Sequence, residues 1–154
     1  MTTAEIVQII TGTFGSIGFA ILFNVRGNRL FAVALGGFLS WLLFVLFQMI
    51  IPDEAICYFL VATLISLYAE GMARLLKTPT TLFICPSLVP LIPGASLYYT
   101  MSYAMQGKNG QFVEKAIDTL KLASALALGI VASAVLMKLI LRVSQAVRSA
   151  KSRA

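Results

Sequence analysis

Long apolar stretches alternate with short polar segments along the whole chain. Each stretch is long enough to cross a hydrocarbon core of ~30 Å at ~1.5 Å per helical residue. Their length and their lack of strict alternation argue against transmembrane strands. The pattern therefore predicts an all-α polytopic membrane protein with a single transmembrane domain over residues 1–154. The five predicted spans cover residues 6–25, 30–51, 55–76, 80–105 and 117–141, and a basic tail follows at 142–154.

The fourth stretch combines strong apolar character with helix-breaking residues. It reads TPTTLFICPSLVPLIPGASLYYT over residues 78–100 and contains Pro79, Pro86, Pro90 and Pro93. A proline inside a helix lacks the backbone N–H and clashes with the preceding turn. In hydrocarbon, such backbone persists only where it meets protein partners or lines a water-filled cavity. We therefore expect the prolines to break the fourth span.

A helix can restart after this break, at Gly94. The N–H groups of its first turn have no acceptor within the helix and lie at the positive end of the helix dipole. A carboxylate or phosphate is the natural ligand of such a helix start, which transporters with discontinuous helices place at mid-membrane depth. The alternative is a kinked span whose prolines only shape packing. The predicted substrate-binding residues are Pro90, Pro93, Gly94, Ala95 and Ser96.

Glu70 is the acidic residue that lies well inside an apolar stretch. A carboxylate inside a membrane is costly and is by default a functional hypothesis. Burial favours its protonated form, which suits a proton relay, so we predict that Glu70 and Arg74 act in proton coupling. The alternative is a local ion pair, because Arg74 follows Glu70 by four residues in the favourable order.

The charged residues orient the predicted spans. The net charge is +6, and five crossings would put nine of the twelve Lys and Arg residues on the side of the C-terminus. Positive charge marks the cytoplasmic side, so we predict an N-terminus outside and a C-terminus in the cytoplasm. The excess of positive charge is then explained by membrane topology and by attraction to anionic lipid, and no nucleic-acid partner is expected. The charged residues that begin the fifth span are interpreted as a solvated helical turn, with a substrate-attracting vestibule as the alternative: Glu114, Lys115, Asp118 and Lys121.

The residue types also exclude several kinds of chemistry. The chain has no His, and its two cysteines, Cys57 and Cys85, fall near opposite ends of neighbouring spans. A Cys/His metal site and a histidine-based triad are therefore excluded, and no internal disulfide is expected. No nucleophile–base pair is visible, so we predict a protein that is not an enzyme and that needs no cofactor or metal.

Three segments carry a resemblance to a known family. They are GFAILFNV at 18–25, AEGMARLLKTPTTLF at 69–83 and PLIPGASLYYTM at 90–101. Together they resemble the threonine/serine exporter family, specifically its small membrane subunit, which is similar to the C-terminal half of the fused exporters. The family's glutamate and following basic residues fall on Glu70, Arg74 and Lys77, and its Pro-Gly signature falls on 90–94. The chain departs from the family pattern at Ala95 and at Pro86-Ser87, which leaves substrate choice open.

The resemblance implies proton-driven export of small polar carboxylates. Family members are associated with threonine and serine, and a two-subunit branch with succinate. It also implies a larger partner subunit, and five spans alone make a thin wall for an alternating-access path, so copies of the chain are the other possible partner. We expect one subunit of a secondary exporter in the cell membrane. The alternative is a structural membrane subunit that stabilises a partner transporter without lining the substrate path.

Overall fold

The chain is folded entirely into helices over the range that can be described. The structure is a computed structural model that describes residues 3–151, without the side chains of residue 4 and residues 144–151. No strand occurs within that range, which confirms the predicted all-α class. The helices are α1 (Thr3–Leu22), α2 (Asn28–Gln48), α3 (Glu54–Leu75), α4 (Thr81–Leu88), α5 (Gly94–Met105) and α6 (Asn109–Lys151), with a 3₁₀ turn at Val89–Leu91 between α4 and α5.

Three of the helices end in the same backbone motif. Asn24, Lys77 and Gly107 adopt positive φ just past the ends of α1, α3 and α5. After α5, the N–H of Lys108 reaches back to the carbonyl of Tyr103 at 3.0 Å, and equivalent bonds follow α1 and α3. This Schellman arrangement satisfies carbonyls that a helix end would otherwise leave unpaired. It turns the chain sharply, so that successive helices fold back on one another.

Small residues let the helices approach closely. Gly37 of α2 lies against Ser16 of α1, and Gly36 lies against Ser87 of α4. A Cβ atom at Gly129 of α6 would lie 2.6 Å from the Phe59 carbonyl oxygen of α3. Close backbone approach of this kind stabilises helix pairs in lipid, where no hydrophobic drive exists between them. Small residues therefore set how closely these helix pairs approach.

Among residues 3–151, four helices are long and apolar enough to cross a membrane, and α4 with α5 makes a fifth crossing if the bent pair counts as one. The two parts of that pair meet at an angle of 60° around the 3₁₀ turn. The break coincides with Pro90 and Pro93, as the sequence predicts. We call the end of the bundle where α2 stops and α3 starts the Asp53 end, and the opposite end the Lys77 end.

Helix α6 is much longer than the predicted fifth span. It contains 43 residues, so its rise is ~64 Å, whereas the prediction began at residue 117 and stopped at 141. The segment GKNGQFVEK at 107–115 falls in the predicted loop between the fourth and fifth spans, yet from Asn109 onward it is helical because Gly107 and Lys108 complete the turn after α5. At the other end α6 continues into the predicted basic tail as far as Lys151, and residues 152–154 lie outside the described residues.

The first turns of α6 project beyond the bundle. Lys121 meets Asp53, the residue before α3, at 3.3 Å. Twelve residues separate Asn109 from Lys121, so ~18 Å of α6 precedes this meeting point. Helix α5 packs along that segment of α6 and has no comparable contact with another described helix. We call α5 together with residues 109–120 the α5–α6 hairpin.

Candidate functional site

A cavity of about 640 Å³ lies where the α5–α6 hairpin meets the Asp53 end of the bundle. This volume falls within the usual range for small-molecule sites. We call it the basal pocket. Its lining comes from four helices and the 92–93 link: Trp41 and Phe44 of α2, Glu54 and Tyr58 of α3, Ile92 and Pro93, Gly94, Ala95, Ser96 and Tyr99 of α5, and Lys115, Asp118, Lys121 and Leu122 of α6.

The start of α5 opens into the basal pocket. Pro93 adopts φ −74° and ψ 59°, and the N–H of Gly94 donates to the Ile92 carbonyl at 2.6 Å. This inverse γ-turn re-aims the chain and consumes the first donor of the helix. The next intrahelical bond runs from Leu97 to the Pro93 carbonyl at 3.0 Å. Neither Ile92 nor Pro93 accepts a bond from the N–H groups of residues 95 and 96, which are the free donors of the first turn.

The basal pocket carries both signs of charge. The Lys121 ammonium lies 3.3 Å from the Asp53 carboxylate, and the Lys115 ammonium lies 3.1 Å from the Asp118 carboxylate. Glu54 has no ion pair within the described part of the chain. The N–H of Ala55 and then the ammonium of Lys121 hold the pKa of Asp53 below its ordinary value, because both stabilise the ionised carboxylate.

Three hydroxyl groups fix the position of α5 against α6. The Ser96 and Thr119 hydroxyls lie 2.8 Å apart, and those of Thr100 and Thr119 lie 3.1 Å apart. Thr119 also donates to the carbonyl of Lys115 at 2.7 Å, one turn earlier in α6. Because Ser96 belongs to the first turn of α5, this cluster sets where the free N–H donors stand relative to the charges of α6.

Aromatic rings form the wall of the basal pocket on the bundle side. The ring centroids of Trp41 and Phe44 are 5.3 Å apart, and those of Phe44 and Tyr58 are 5.0 Å apart with an edge-on arrangement. Edge-on and tilted ring pairs are favourable beyond their buried area. Phe44 and Tyr58 are buried in the core, so this wall is held rigidly by the bundle.

The structure brings four of the five predicted substrate-binding residues to one cavity. Pro93, Gly94, Ala95 and Ser96 line the basal pocket, whereas Pro90 packs behind it against Gly12 of α1. Tyr58, which lines the same cavity, follows Glu54 by four residues and thus lies ~6 Å inside the start of α3. The cavity is therefore close to the Asp53 end of the bundle.

The predicted proton-coupling pair lies elsewhere. The Glu70 carboxylate is 4.0 Å from the Arg74 guanidinium, and the side chains are 15% and 53% exposed. Glu70 follows Tyr58 by twelve residues on α3, so it lies ~18 Å farther along the helix. The structure does not join this pair to the basal pocket, and the two parts of the predicted mechanism are separate.

Several lining residues were not predicted as site residues. Four of them carry no local sequence signal for a site: Trp41, Glu54, Tyr58 and Tyr99. A signal did exist on α6, because residues 115, 118 and 121 recur every three positions and so share one helical face. The structure places Lys115, Asp118 and Lys121 at the wall of the cavity, whereas Glu114 is exposed and does not line it.

The fold and the composition together define an all-α polytopic membrane protein. Residues 8–136 match a family model described as "Threonine/Serine exporter, ThrE". The match covers well over half of the chain, and the protein therefore belongs to the threonine/serine exporter family, as the resemblance predicted. A comparison with curated proteins and one with solved structures gave no match. The family is one of transporters rather than enzymes, and it implies a membrane exporter of threonine- and serine-type substrates.

Proposed function

We propose that the chain is one subunit of a secondary exporter in the cell membrane and that the basal pocket receives its substrate. The observation that carries the proposal is the start of α5, where two free backbone donors face a cavity that also contains Lys115 and Lys121. Helix N-termini and ammonium groups both favour a carboxylate ligand. The substrate class that fits is a small metabolite that bears a carboxylate.

The acids of the basal pocket refine this substrate class. Glu54 and Asp118 line the same cavity as the free donors of Ala95 and Ser96. An α-amino acid carries a carboxylate for the donors and an ammonium group for an acid, so threonine and serine satisfy both parts of the pocket. A dicarboxylate would leave Glu54 facing a like charge, which costs free energy. The pocket therefore favours an amino acid over succinate.

For proton coupling, Glu70 remains our candidate. Its side chain is largely buried, its carboxylate lies 4.0 Å from the Arg74 guanidinium, and an acid inside a membrane span is by default a functional hypothesis. We further propose a partner, either a larger subunit of the same family or copies of this chain. Only 17% of the α1 span and 11% of the α6 span is buried within the chain, so both helices are available to lipid and to another subunit.

We also propose that the Asp53 end of the bundle faces outward, because most of the Lys and Arg residues lie toward the other end.

The test of the basal pocket is Lys121→Met in the purified protein reconstituted with its partner. Loss of one charge-assisted bond should weaken serine or threonine binding by about 10- to 100-fold. The matched control is Lys108→Met, because Lys108 lies over the Tyr103 ring at 5.9 Å and does not line the basal pocket. Equal affinities for the two variants would refute the assignment of the pocket.

The test of coupling is Glu70→Gln, measured as export with and without a pH gradient. We expect substrate binding to persist while the response to the gradient is lost. Glu114→Gln, at an exposed position on α6, serves as control. A gradient response equal to that of the wild type would remove Glu70 from the mechanism. If the variants of Glu70 and Lys121 both fold and export normally, the chain is instead a structural subunit.

A further inference from the structure

Four buried serines have hydroxyl groups without a partner. Ser16, Ser40, Ser66 and Ser87 belong to α1, α2, α3 and α4, and each has 0% exposure. Within the described part of the chain, none of the four Oγ atoms makes a hydrogen bond. Helical serines commonly bond a carbonyl of their own helix, as buried Ser133 does with Ile130 at 2.8 Å. The four orphan hydroxyls therefore need a separate explanation.

Three of these hydroxyls surround one short segment of α2. Ser16 packs against Gly37, and Ser87 packs against the adjacent Gly36. Ser40 follows Gly36 by four residues, so it lies on the same face of α2 one turn farther toward the Asp53 end. The orphan serines of α1, α2 and α4 thus lie close together around residues 36–40 of α2, where Gly36 and Gly37 leave room for the side chains of Ser87 and Ser16.

The segment lies between the two separated parts of the site. On one side, Trp41 follows Ser40 and lines the basal pocket, and its indole N–H is also buried without a partner among the described residues. On the other side, the Tyr68 ring contacts the same spot as Gly36 and Ser87. Ser66, the fourth orphan serine, precedes Glu70 by four residues and therefore lies on the Glu70 side of α3. Polar groups therefore occur along the ~18 Å from the basal pocket to Glu70.

Helix α4 supplies acceptors to the same region. Pro86 has no N–H for the carbonyl of Leu82, and Pro90 has none for the carbonyl of Pro86. Ser87 lies between these two prolines in the chain. Buried hydroxyls and carbonyls in folded proteins are almost always paired, and ordered water with about three hydrogen bonds is the usual partner when protein atoms are not.

We propose that Ser16, Ser40, Ser66 and Ser87 hold a chain of buried water molecules that connects the basal pocket with Glu70 and relays protons between them. The relay rests on the proposed function, because it gives Glu70 a route to a substrate site that it does not touch. Water fits better than a metal cation, since the groups around Gly36 and Gly37 are neutral hydroxyls and carbonyls. The described carboxylate nearest along α3 is Glu70, which Arg74 already faces at 4.0 Å.

The first test is the sign of a change in thermal stability. If each hydroxyl bonds water, Ser40→Ala and Ser87→Ala should lower the Tm of the purified protein by about 2 to 4 °C each. If the hydroxyls are dry and unpaired, alanine removes a buried polar group without a partner, and Tm should rise or stay the same. That result would overturn the hydrated site. Ser133→Ala shows how much Tm falls when a bonded serine hydroxyl is removed, because Ser133 is equally buried but bonds a carbonyl.

The second test separates the relay from the substrate site. Serine counterflow without a gradient and export driven by a pH gradient are measured for Ser40→Ala and Ser87→Ala in proteoliposomes with the partner present. We expect counterflow to persist and gradient-driven export to fall at least ~5-fold. Normal gradient-driven export in both variants would overturn the relay. The basal pocket is judged independently by Lys121→Met, so failure of the relay and failure of the substrate site give different results.

Discussion

Gly129→Ala should destabilise the contact between α3 and α6. The new Cβ would lie 2.6 Å from the Phe59 carbonyl oxygen and 2.8 Å from the Ala62 Cβ. Carbon atoms prefer separations of ~3.5–4.0 Å, so the helices must move apart by about 0.7 Å. A gap of this size forfeits about a quarter to a half of the dispersion energy across the contact. The backbone of Phe59 cannot rotate away, which makes this site less forgiving than a contact with a flexible side chain.

The size of the effect follows from two opposing terms. Overpacking costs about 1–3 kcal/mol, and replacing a helical glycine with alanine returns about 0.5–1 kcal/mol. At the middle of these two ranges the net loss is about 1 kcal/mol, which corresponds to a fall in Tm of about 2–4 °C for a chain of this length. The measurement is a thermal-unfolding curve of the purified protein in detergent.

Gly71→Ala is the matched control. Gly71 lies inside α3, and a Cβ there would have no heavy atom within 4 Å. Only the helix-propensity term then applies, so Tm should rise by about 1–4 °C. The reasoning is refuted if Gly129→Ala is as stable as the wild type, or if both variants shift in the same direction by a similar amount.

Two further predictions concern the basal pocket. Asp53→Asn should destabilise the protein most above pH 4, because a lowered pKa in the folded state contributes stability that is lost as pH falls below the ordinary value of 3.8. A Tm difference from wild type that stays constant between pH 3 and pH 7 would contradict it. Thr119→Val should speed hydrogen exchange across α5, since it removes the hydroxyl that both Ser96 and Thr100 contact, whereas Ser124→Ala, which loses only a bond within α6, should not.

Local sequence rules predict the backbone of this protein well. Pro90 and Pro93 cannot donate to a helical ladder, so the break between α4 and α5 follows from their identity alone. The restart at Gly94 follows in the same way. The predicted fifth span began at residue 117, too late for α6, because the prediction followed the apolar residues and not the geometry of the preceding turn. The residues at 109–116 are helical although most of them are exposed, because the turn completed at Gly107 and Lys108 leads directly into α6.

The basal pocket is harder to foresee. Glu54 and Tyr58 reach it only because α3 and α6 run side by side in a register set near Gly129. No local pattern encodes that register. The position of Glu70 shows the opposite case, since counting residues along α3 already separates it from the helix start at Gly94. Residue counting fixes distance along one helix, and packing between helices decides which side chains share a cavity.

The continuity of α6 has a mechanical consequence. One helix without a break runs from Asn109, ~18 Å beyond the bundle, into the contact with α3. A tilt of α6 by ~10° about the point where Lys121 meets Asp53 would move Asn109 by about 3 Å. Because the same helix forms one wall of the cavity, any force on the projecting tip widens or narrows the mouth through which a solute enters.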